Sequence, residues 1–160
     1  MTETFTAERR TRSARETFRL GARLGALLRS GDVVALVGDL GAGKTQLVRG
    51  ACEGAGVPAG EVSSPTFAIV ATYHGARLPV HHADLYRIGD EDELYATGFF
   101  DLVGGEGATL VEWADRVPGA LPKERLELTL GHVEDAPDDR IVKAAGTGAR
   151  HAELARALMG

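Results

Sequence analysis

The sequence predicts an α/β fold, in which helices cover both faces of a mixed, mainly parallel sheet with antiparallel edge strands. Three observations support this prediction. Residues 33–37 and 109–113 are short apolar runs, typical of strands buried on both faces in a parallel sheet. Apolar side chains recur at helical spacing after Ser13. Residues 125–130 alternate with period two and pair naturally with residues 140–145 as a hairpin at a sheet edge.

The first helix is predicted by a capping box, Ser13-Ala-Arg-Glu16, followed by leucines at helical spacing. It should end near Gly31, before the strand at residues 33–37. A glycine-rich turn then leads into a second helix from about Lys44 to Gly54.

The rest of the chain predicts shorter elements. Residues 68–73 and 78–86 are extended segments, and residues 91–97 form a short helix whose acidic start suits the helix dipole. The strand at 109–113 and the hairpin follow, and a terminal helix begins at about Gly148.

We expect one domain, because 160 residues suffice for a single core. Residues 1–12 are rich in Thr, Glu and Arg without apolar periodicity, so we expect a mobile N-terminal arm. Residues 13–160 should form the domain, with a C-terminal helix or tail from about residue 147.

Composition limits the function classes. The net charge of −5 argues against binding DNA or RNA through the whole surface, so any tRNA contact should be local or indirect. No apolar run approaches the length of a membrane span, and no secretory signal is recognisable. The single cysteine, Cys52, fits a packing role in a reducing compartment. We expect a cytoplasmic protein that contacts neither membrane nor DNA.

A phosphate-binding loop (P-loop) is predicted at residues 38–45, Gly38-Asp39-Leu40-Gly41-Ala42-Gly43-Lys44-Thr45, which match G-x-x-x-x-G-K-[ST] between a buried strand and a helix. Gly41 and Gly43 allow a tight turn that directs backbone N–H groups at phosphate oxygens. Lys44 can reach the β- and γ-phosphates, and Thr45 can ligate Mg²⁺. ATP and Mg²⁺ are therefore the expected ligands, in a three-layer fold like that of the P-loop NTPases. Asp39 has no evident role, because a carboxylate should repel phosphate unless it points outward.

A second Mg²⁺ oxygen is expected at the end of a neighbouring strand. Asp84 and Glu112 both follow predicted strands. We favour Glu112 for the metal, because its strand is the more apolar, and leave Asp84 for the attacking water or the γ-phosphate.

Three further sets of residues each allow two interpretations, one functional and one structural. His82 and Asp84 share a strand face and could form a metal pair, although a third ligand is missing. Trp113 either lies against the nucleotide or fills the core. Arginines recur along the first helix, and they form either a solvated face or a contact with tRNA or an acidic partner: Arg12, Arg15, Arg19 and Arg23.

Four motifs in this order and spacing resemble the TsaE family, the bacterial ATPases required for threonylcarbamoyladenosine (t6A) in tRNA. They are the P-loop, Ser64-Pro-Thr-Phe67, His82-Ala-Asp-Leu-Tyr-Arg87 and Glu112-Trp113, and the resemblance covers roughly residues 13–146.

The resemblance implies a mixed sheet with the P-loop in the middle, slow ATP hydrolysis without partners, and Mg²⁺ held by Thr45 and Glu112. It also implies that Thr66 senses the nucleotide and that Asp84 is needed for turnover. Arg140 matches an arginine that lies near the nucleotide in the family. The family ATPase binds a complex of TsaD and TsaB and resets it, without transferring the threonylcarbamoyl group itself.

Two other functions compete with this interpretation. A small P-loop kinase should have an arginine-rich lid, and no such segment occurs between Glu91 and Gly107. A nucleotide-dependent interaction module would bind ATP and recruit partners without hydrolysis.

Overall fold

The structure, a computed structural model, describes residues 2–39, 41–62, 70–117 and 119–160. Within these ranges the chain forms seven strands, five helices and two short 3₁₀ turns. In chain order they are β1 (Thr4–Thr11), α1 (Ala14–Leu27), β2 (Val33–Gly38), α2 (Lys44–Gly54), a 3₁₀ turn (Ala59–Glu61), β3 (Val70–His74), β4 (Pro79–Asp84), α3 (Glu91–Ala96), α4 (Phe99–Leu102), β5 (Ala108–Glu112), a 3₁₀ turn (Ala114–Arg116), β6 (Leu126–Val133), β7 (Ala136–Thr147) and α5 (Ala149–Met159).

All seven strands belong to one sheet, in the order β1-β7-β6-β2-β5-β4-β3. The four central strands, β6, β2, β5 and β4, run parallel to one another. The outer strands pair antiparallel: β7 with β6, β1 with β7, and β3 with β4. The predicted mixed sheet with antiparallel edge strands is confirmed, and the strand that precedes the P-loop lies at its centre.

Two apolar cores lie on opposite faces of the sheet, because successive side chains of a strand point to opposite sides. In β2, Val34 and Leu36 face the core shared with α1, α2 and α5, whereas Ala35 faces the core shared with α3 and α4. Helix, sheet and helix therefore form three layers, as the sequence predicts.

A glycine seam joins α1 to α2. We give this name to Gly21 and Gly25 of α1 with Gly50 and Gly54 of α2, because a Cβ at any of them would lie under 3.0 Å from a backbone carbonyl oxygen of the other helix. The two backbones therefore approach more closely than any larger residue allows. The seam fixes the helix that begins at the P-loop against α1.

The expected mobile arm at residues 1–12 is wrong for residues 4–11, which form β1. This strand pairs antiparallel with β7 from Thr4 opposite Thr147 to Thr11 opposite Arg140. The polar composition misled the prediction, because an edge strand that packs one face on α5 needs few apolar residues. Phe5 packs against the core, and the Thr11 hydroxyl lies 2.7 Å from that of Thr17 in α1.

A buried polar cluster attaches α5 to the start of β2. Arg150 donates two hydrogen bonds to the buried carboxylate of Asp32, at 2.9 and 2.7 Å, and the bond to Asp32 raises the pKa of Arg150. His151 accepts a hydrogen bond from the Val33 backbone N–H at 3.1 Å through its Nε2 atom. Burial lowers the pKa of His151, which favours the neutral ring that this acceptor role requires.

Most other elements fall where the sequence predicts them. Ser13 caps α1 by accepting from the Glu16 N–H, and Asp90 caps α3 in the same way from Glu93. The short helix α4 is not predicted, since four residues carry no periodicity. Part of the segment predicted as a strand at 68–73 lies outside the described residues.

Cys52 is buried in α2, as expected, and burial raises its pKa to about 12.

Candidate functional site

The P-loop links the end of β2 to the start of α2. Gly38 is the last residue of β2, and Lys44 is the first residue of α2. Gly41 and Gly43 have φ angles of 79° and 103°, in the left-handed region that favours glycine. The strand, turn and helix that the motif requires are therefore present, although Leu40 lies outside the described residues. The loop ends at a helix N-terminus, where backbone N–H groups and the helix dipole favour an anion.

Lys44 is buried, and its ammonium lies against the loop. It donates hydrogen bonds to the carbonyl oxygens of Gly38 and, at 3.2 Å, of Asp39. Its Nζ atom also lies 4.0 Å from the ring centroid of Trp113, in a cation–π contact. Burial lowers the pKa of Lys44, while the carboxylates of Glu112 and Asp84 oppose that shift.

A cavity of about 390 Å³ lies in front of the loop and brings together residues from three parts of the chain. Its lining consists of residues 41–46 with Asp84, Glu112 and Trp113. Thr45, in the first turn of α2, is exposed at this cavity. The predicted metal-side hydroxyl and both candidate carboxylates therefore share one site.

The two carboxylates are neighbours because their strands pair in parallel. Asp84 ends β4, Glu112 ends β5, and the two residues are register partners. One oxygen of Asp84, Oδ1, accepts a hydrogen bond of 3.0 Å from the Tyr86 N–H, which fixes the carboxylate at the strand end. Glu112 is buried, and its Oε2 atom lies 2.6 Å from Nε2 of His82. Each carboxylate thus has one oxygen held by the protein.

Trp113 lines the cavity, and its partly buried side chain also packs against the core on the α3 and α4 face of the sheet. Its backbone adopts φ 55°, an uncommon conformation for a large residue, which turns the chain directly after Glu112. The ring packs against Tyr86 with centroids 5.0 Å apart. The structure thus places Trp113 beside Lys44 and also against the core shared with α3 and α4, so both interpretations stay predictions.

Arg140 reaches the P-loop from β7. Its guanidinium donates to the carbonyl oxygens of Gly41 and Ala42, at 3.1 and 3.2 Å, and to those of Pro137 and Asp139. Arg140 therefore contacts the backbone of the loop.

Asp39 is exposed, consistent with a carboxylate that points away from phosphate.

These residues fit a nucleotide phosphate chain with Mg²⁺. Left-handed glycines and a helix N-terminus suit phosphate oxygens, and a hydroxyl beside carboxylate oxygens suits the hard cation. Lys44 contacts carbonyl oxygens of the loop, and phosphate oxygens are stronger acceptors for the same ammonium.

Thr66, the predicted nucleotide sensor, lies outside the described residues and stays a prediction. The alternative metal pair of His82 and Asp84 gains no support: among the described residues no group of three or more His, Cys, Asp and Glu side chains could hold a metal ion. Sequence reasoning missed the contact between His82 and Glu112. The available signal was the period of two that places His82 on the face of β4 that carries Asp84.

The predicted basic stripe runs from Arg12, which precedes α1, through Arg15, Arg19 and Arg23 of α1. Arg12, Arg15, Arg19 and Arg23 are exposed. Arg23 donates to the carbonyl oxygen of Ala157, whereas none of the described residues forms a hydrogen bond or ion pair with the side chain of Arg15 or Arg19. Both interpretations, a solvated face and a contact with tRNA or an acidic partner, remain predictions.

Nothing in the described part of the chain resembles a membrane span, since its helices are too short or too polar to cross a bilayer.

Comparisons with known proteins identify the family and agree with the architecture. A family model described as "Threonylcarbamoyl adenosine biosynthesis protein TsaE" matches residues 11–142. The chain is 38% identical to the Bacillus subtilis (strain 168) "tRNA threonylcarbamoyladenosine biosynthesis protein TsaE" over 149 residues, covering 93% of this chain and 91% of that protein. It is 40% identical to the protein of the same name from Treponema pallidum (strain Nichols), covering 78% of this chain and 91% of the relative.

A crystal structure of Bacillus subtilis YdiB superposes with a TM-score of 0.80 at 31% identity, covering 98% of this chain and 95% of YdiB. The match extends over the whole sheet and not only the P-loop. Family model, relatives and fold thus agree, and the chain belongs to the TsaE family.

Proposed function

We propose that this chain is a cytoplasmic, Mg²⁺-dependent ATPase required for the t6A modification of tRNA. One observation carries the ATPase part: Lys44, Thr45, Asp84 and Glu112, from three separate parts of the chain, line one cavity at the P-loop. The names of the relatives support the link to t6A biosynthesis.

In this proposal the P-loop binds the phosphates, and Lys44 moves its hydrogen bonds from the loop carbonyls to the β- and γ-phosphates. Thr45 and Glu112 would hold Mg²⁺, which supplies positive charge against the phosphate oxygens. Asp84 orients the attacking water with the oxygen that the Tyr86 N–H leaves unused. Thr66 completes the set as the nucleotide sensor.

We further propose that hydrolysis is slow in the isolated chain and that subunits like TsaD and TsaB stimulate it. The threonylcarbamoyl group would be transferred by that complex and not by this protein. Thr45 is exposed, so the cavity is open to a partner. A partner that closes over the cavity could stimulate hydrolysis, which supports this proposal.

The test is complementation in cells that lack the protein. Total tRNA is digested to nucleosides, and t6A is quantified after expression of the wild-type chain, Lys44→Ala or Asp84→Asn. We expect the wild type to restore t6A, and both variants to fail at matched protein levels. Lys44→Ala should also weaken Mg-ATP binding about tenfold or more, because it removes charge-assisted hydrogen bonds. Asp84→Asn should leave binding intact. Lys123→Ala, at an exposed lysine, is the matched control and should behave as wild type.

Unchanged t6A in cells without the protein would refute the role in tRNA modification. Full complementation by both variants would refute the need for hydrolysis and favour an interaction module. Transfer of labelled γ-phosphate to an organic acceptor, rather than release as inorganic phosphate, would identify a kinase.

A further inference from the structure

His82 is a buried histidine whose ring lies against a carboxylate at the cavity without itself lining that cavity. It is 2% exposed, Glu112 is 6% exposed, and Nε2 of His82 lies 2.6 Å from Oε2 of Glu112. A carboxylate only accepts hydrogen bonds, so Nε2 carries the proton and donates it. The contact is thus a short, charge-assisted hydrogen bond between two adjacent parallel strands.

The other ring nitrogen of His82 has no such partner. Its Nδ1 atom is buried and forms no hydrogen bond with any described residue. An unpaired buried acceptor is unfavourable, and an apolar side chain of similar size would avoid that cost. The unpaired Nδ1 is therefore a cost of a histidine at this position, and the hydrogen bond to the buried Glu112 carboxylate is what the histidine provides.

We propose that His82 is a positioning residue for the divalent cation, acting through Glu112. By holding Oε2, His82 fixes the carboxylate of Glu112, which lines the cavity together with Thr45, and leaves the other oxygen, Oε1, for the cation. A ligand oriented in advance binds a metal more tightly than one that must be ordered on binding, and removal of such supporting partners typically weakens metal affinity 10- to 100-fold. This inference rests on the proposed function, in which Glu112 holds Mg²⁺.

The neighbouring histidine offers a contrast within the same strand. His81 lies on the opposite face of β4 and is also buried, but its ring nitrogens contact the Thr72 hydroxyl at 2.9 Å and the Glu106 carbonyl oxygen at 2.8 Å. Neither partner lines the cavity. Substitution of His81 should therefore alter stability without altering metal affinity.

The experiment measures Mn²⁺ binding to the full chain saturated with the β,γ-imido analogue of ATP, from the electron paramagnetic resonance signal of free Mn²⁺. The variants are His82→Leu, His82→Gln, His81→Leu and Glu112→Gln, each checked by thermal unfolding. We expect His82→Leu to weaken Mn²⁺ binding about 10- to 100-fold and to lower the unfolding temperature, because the buried Glu112 carboxylate loses its hydrogen-bond donor. His82→Gln, which keeps a donor near the Nε2 position, should recover much of the affinity.

Affinity for the analogue in the presence of EDTA should stay unchanged in both His82 variants, because His82 does not line the cavity. His82→Leu with Mn²⁺ affinity within twofold of wild type, while Glu112→Gln loses it, would overturn the inference and leave the proposed function standing. No loss in Glu112→Gln would instead refute the proposed metal ligand. Equal loss in His81→Leu and His82→Leu would reduce the role of His82 to general packing. If His82→Leu does not fold, His82→Gln with weakened Mn²⁺ binding equal to that of Glu112→Gln would count against the inference.

Discussion

Individual residues of this site are held mainly by backbone groups. Lys44 contacts two loop carbonyls, Asp84 accepts from the Tyr86 N–H, and Arg140 donates to four carbonyls. Backbone partners persist whatever side chains surround them. The positions of these three side chains therefore depend on the path of the chain, whereas Glu112 is held by the side chain of His82.

Arg140 provides a prediction at this scale. Arg140 donates a hydrogen bond to the Ala42 carbonyl oxygen. The C=O of Ala42 and the N–H of Gly43 belong to the same trans peptide and point in opposite directions. The bond from Arg140 therefore directs the Gly43 N–H away from Arg140, to the far side of the loop. Arg140→Lys keeps the charge but loses the fork that spans the Gly41 and Ala42 carbonyls. We expect Mg-ATP affinity to fall about tenfold, as for the loss of one hydrogen bond to a charged group.

Isothermal titration with the β,γ-imido analogue of ATP measures this effect. Arg156→Lys is the matched control, since Arg156 pairs with Glu3, a residue that does not line the cavity, and its affinity should equal that of the wild type. An Arg140→Lys chain with unchanged affinity would show that the loop holds its shape without this side chain.

Among the elements, the pair α1 and α2 shows how glycine can stabilise a helix contact. Glycine normally weakens a helix interior by about 1 kcal/mol relative to alanine. In the glycine seam, glycine should instead be more stabilising than alanine, because the methyl group of an alanine would clash with a carbonyl oxygen of the facing helix.

Gly25→Ala and Gly50→Ala should therefore each lower the free energy of unfolding by roughly 1–3 kcal/mol through overpacking. Urea unfolding at constant pH measures the change. Gly60→Ala is the control, because no atom lies within 4 Å of its added Cβ, and it should change stability by less than about 0.5 kcal/mol. An increase in stability for Gly25→Ala would mean that helix propensity dominates the contact.

For the whole molecule, β1 is the part that changes the predicted organisation most. Its residues close the outer edge of β7 over eight register pairs. The strand is attached at both ends, where Glu3 pairs with Arg156 and Thr11 contacts Thr17.

A chain that starts at Ser13 should therefore be less stable and should self-associate through the uncovered edge of β7. Loss of the contacts of the partly buried Phe5 side chain alone should cost roughly 1 kcal/mol. Thermal unfolding and sedimentation velocity measure the two effects. Glu8→Ala, an exposed change within the same strand, should keep the oligomeric state and nearly the stability of the wild type. A shortened chain with the unfolding temperature and the oligomeric state of the wild type would show that β1 is dispensable.

The sequence could predict most of the central fold, because buried strands and amphipathic helices carry periodic apolar patterns. It could also predict the P-loop, whose chemistry restricts residue types at fixed spacing. Two features escaped it for physical reasons. The polar strand β1 depends on pairing with β7, which lies far along the chain. The bond between His82 and Glu112 depends on the pairing and register of β4 and β5, whereas the period of two along β4 indicates only that His82 and Asp84 share a face.

The place of β2 in the sheet also affects when the site can form. The strand that carries the P-loop lies between β5 and β6, both of which come later in the chain. When the ribosome has added residue 100, the complete P-loop has already left it. Both edges of β2 are still unpaired at that point, because β5 and β6 have not been made, and Glu112 has not been made either. Under the proposed function, nucleotide should therefore stabilise only the finished chain, and ATP should not stabilise the nascent P-loop.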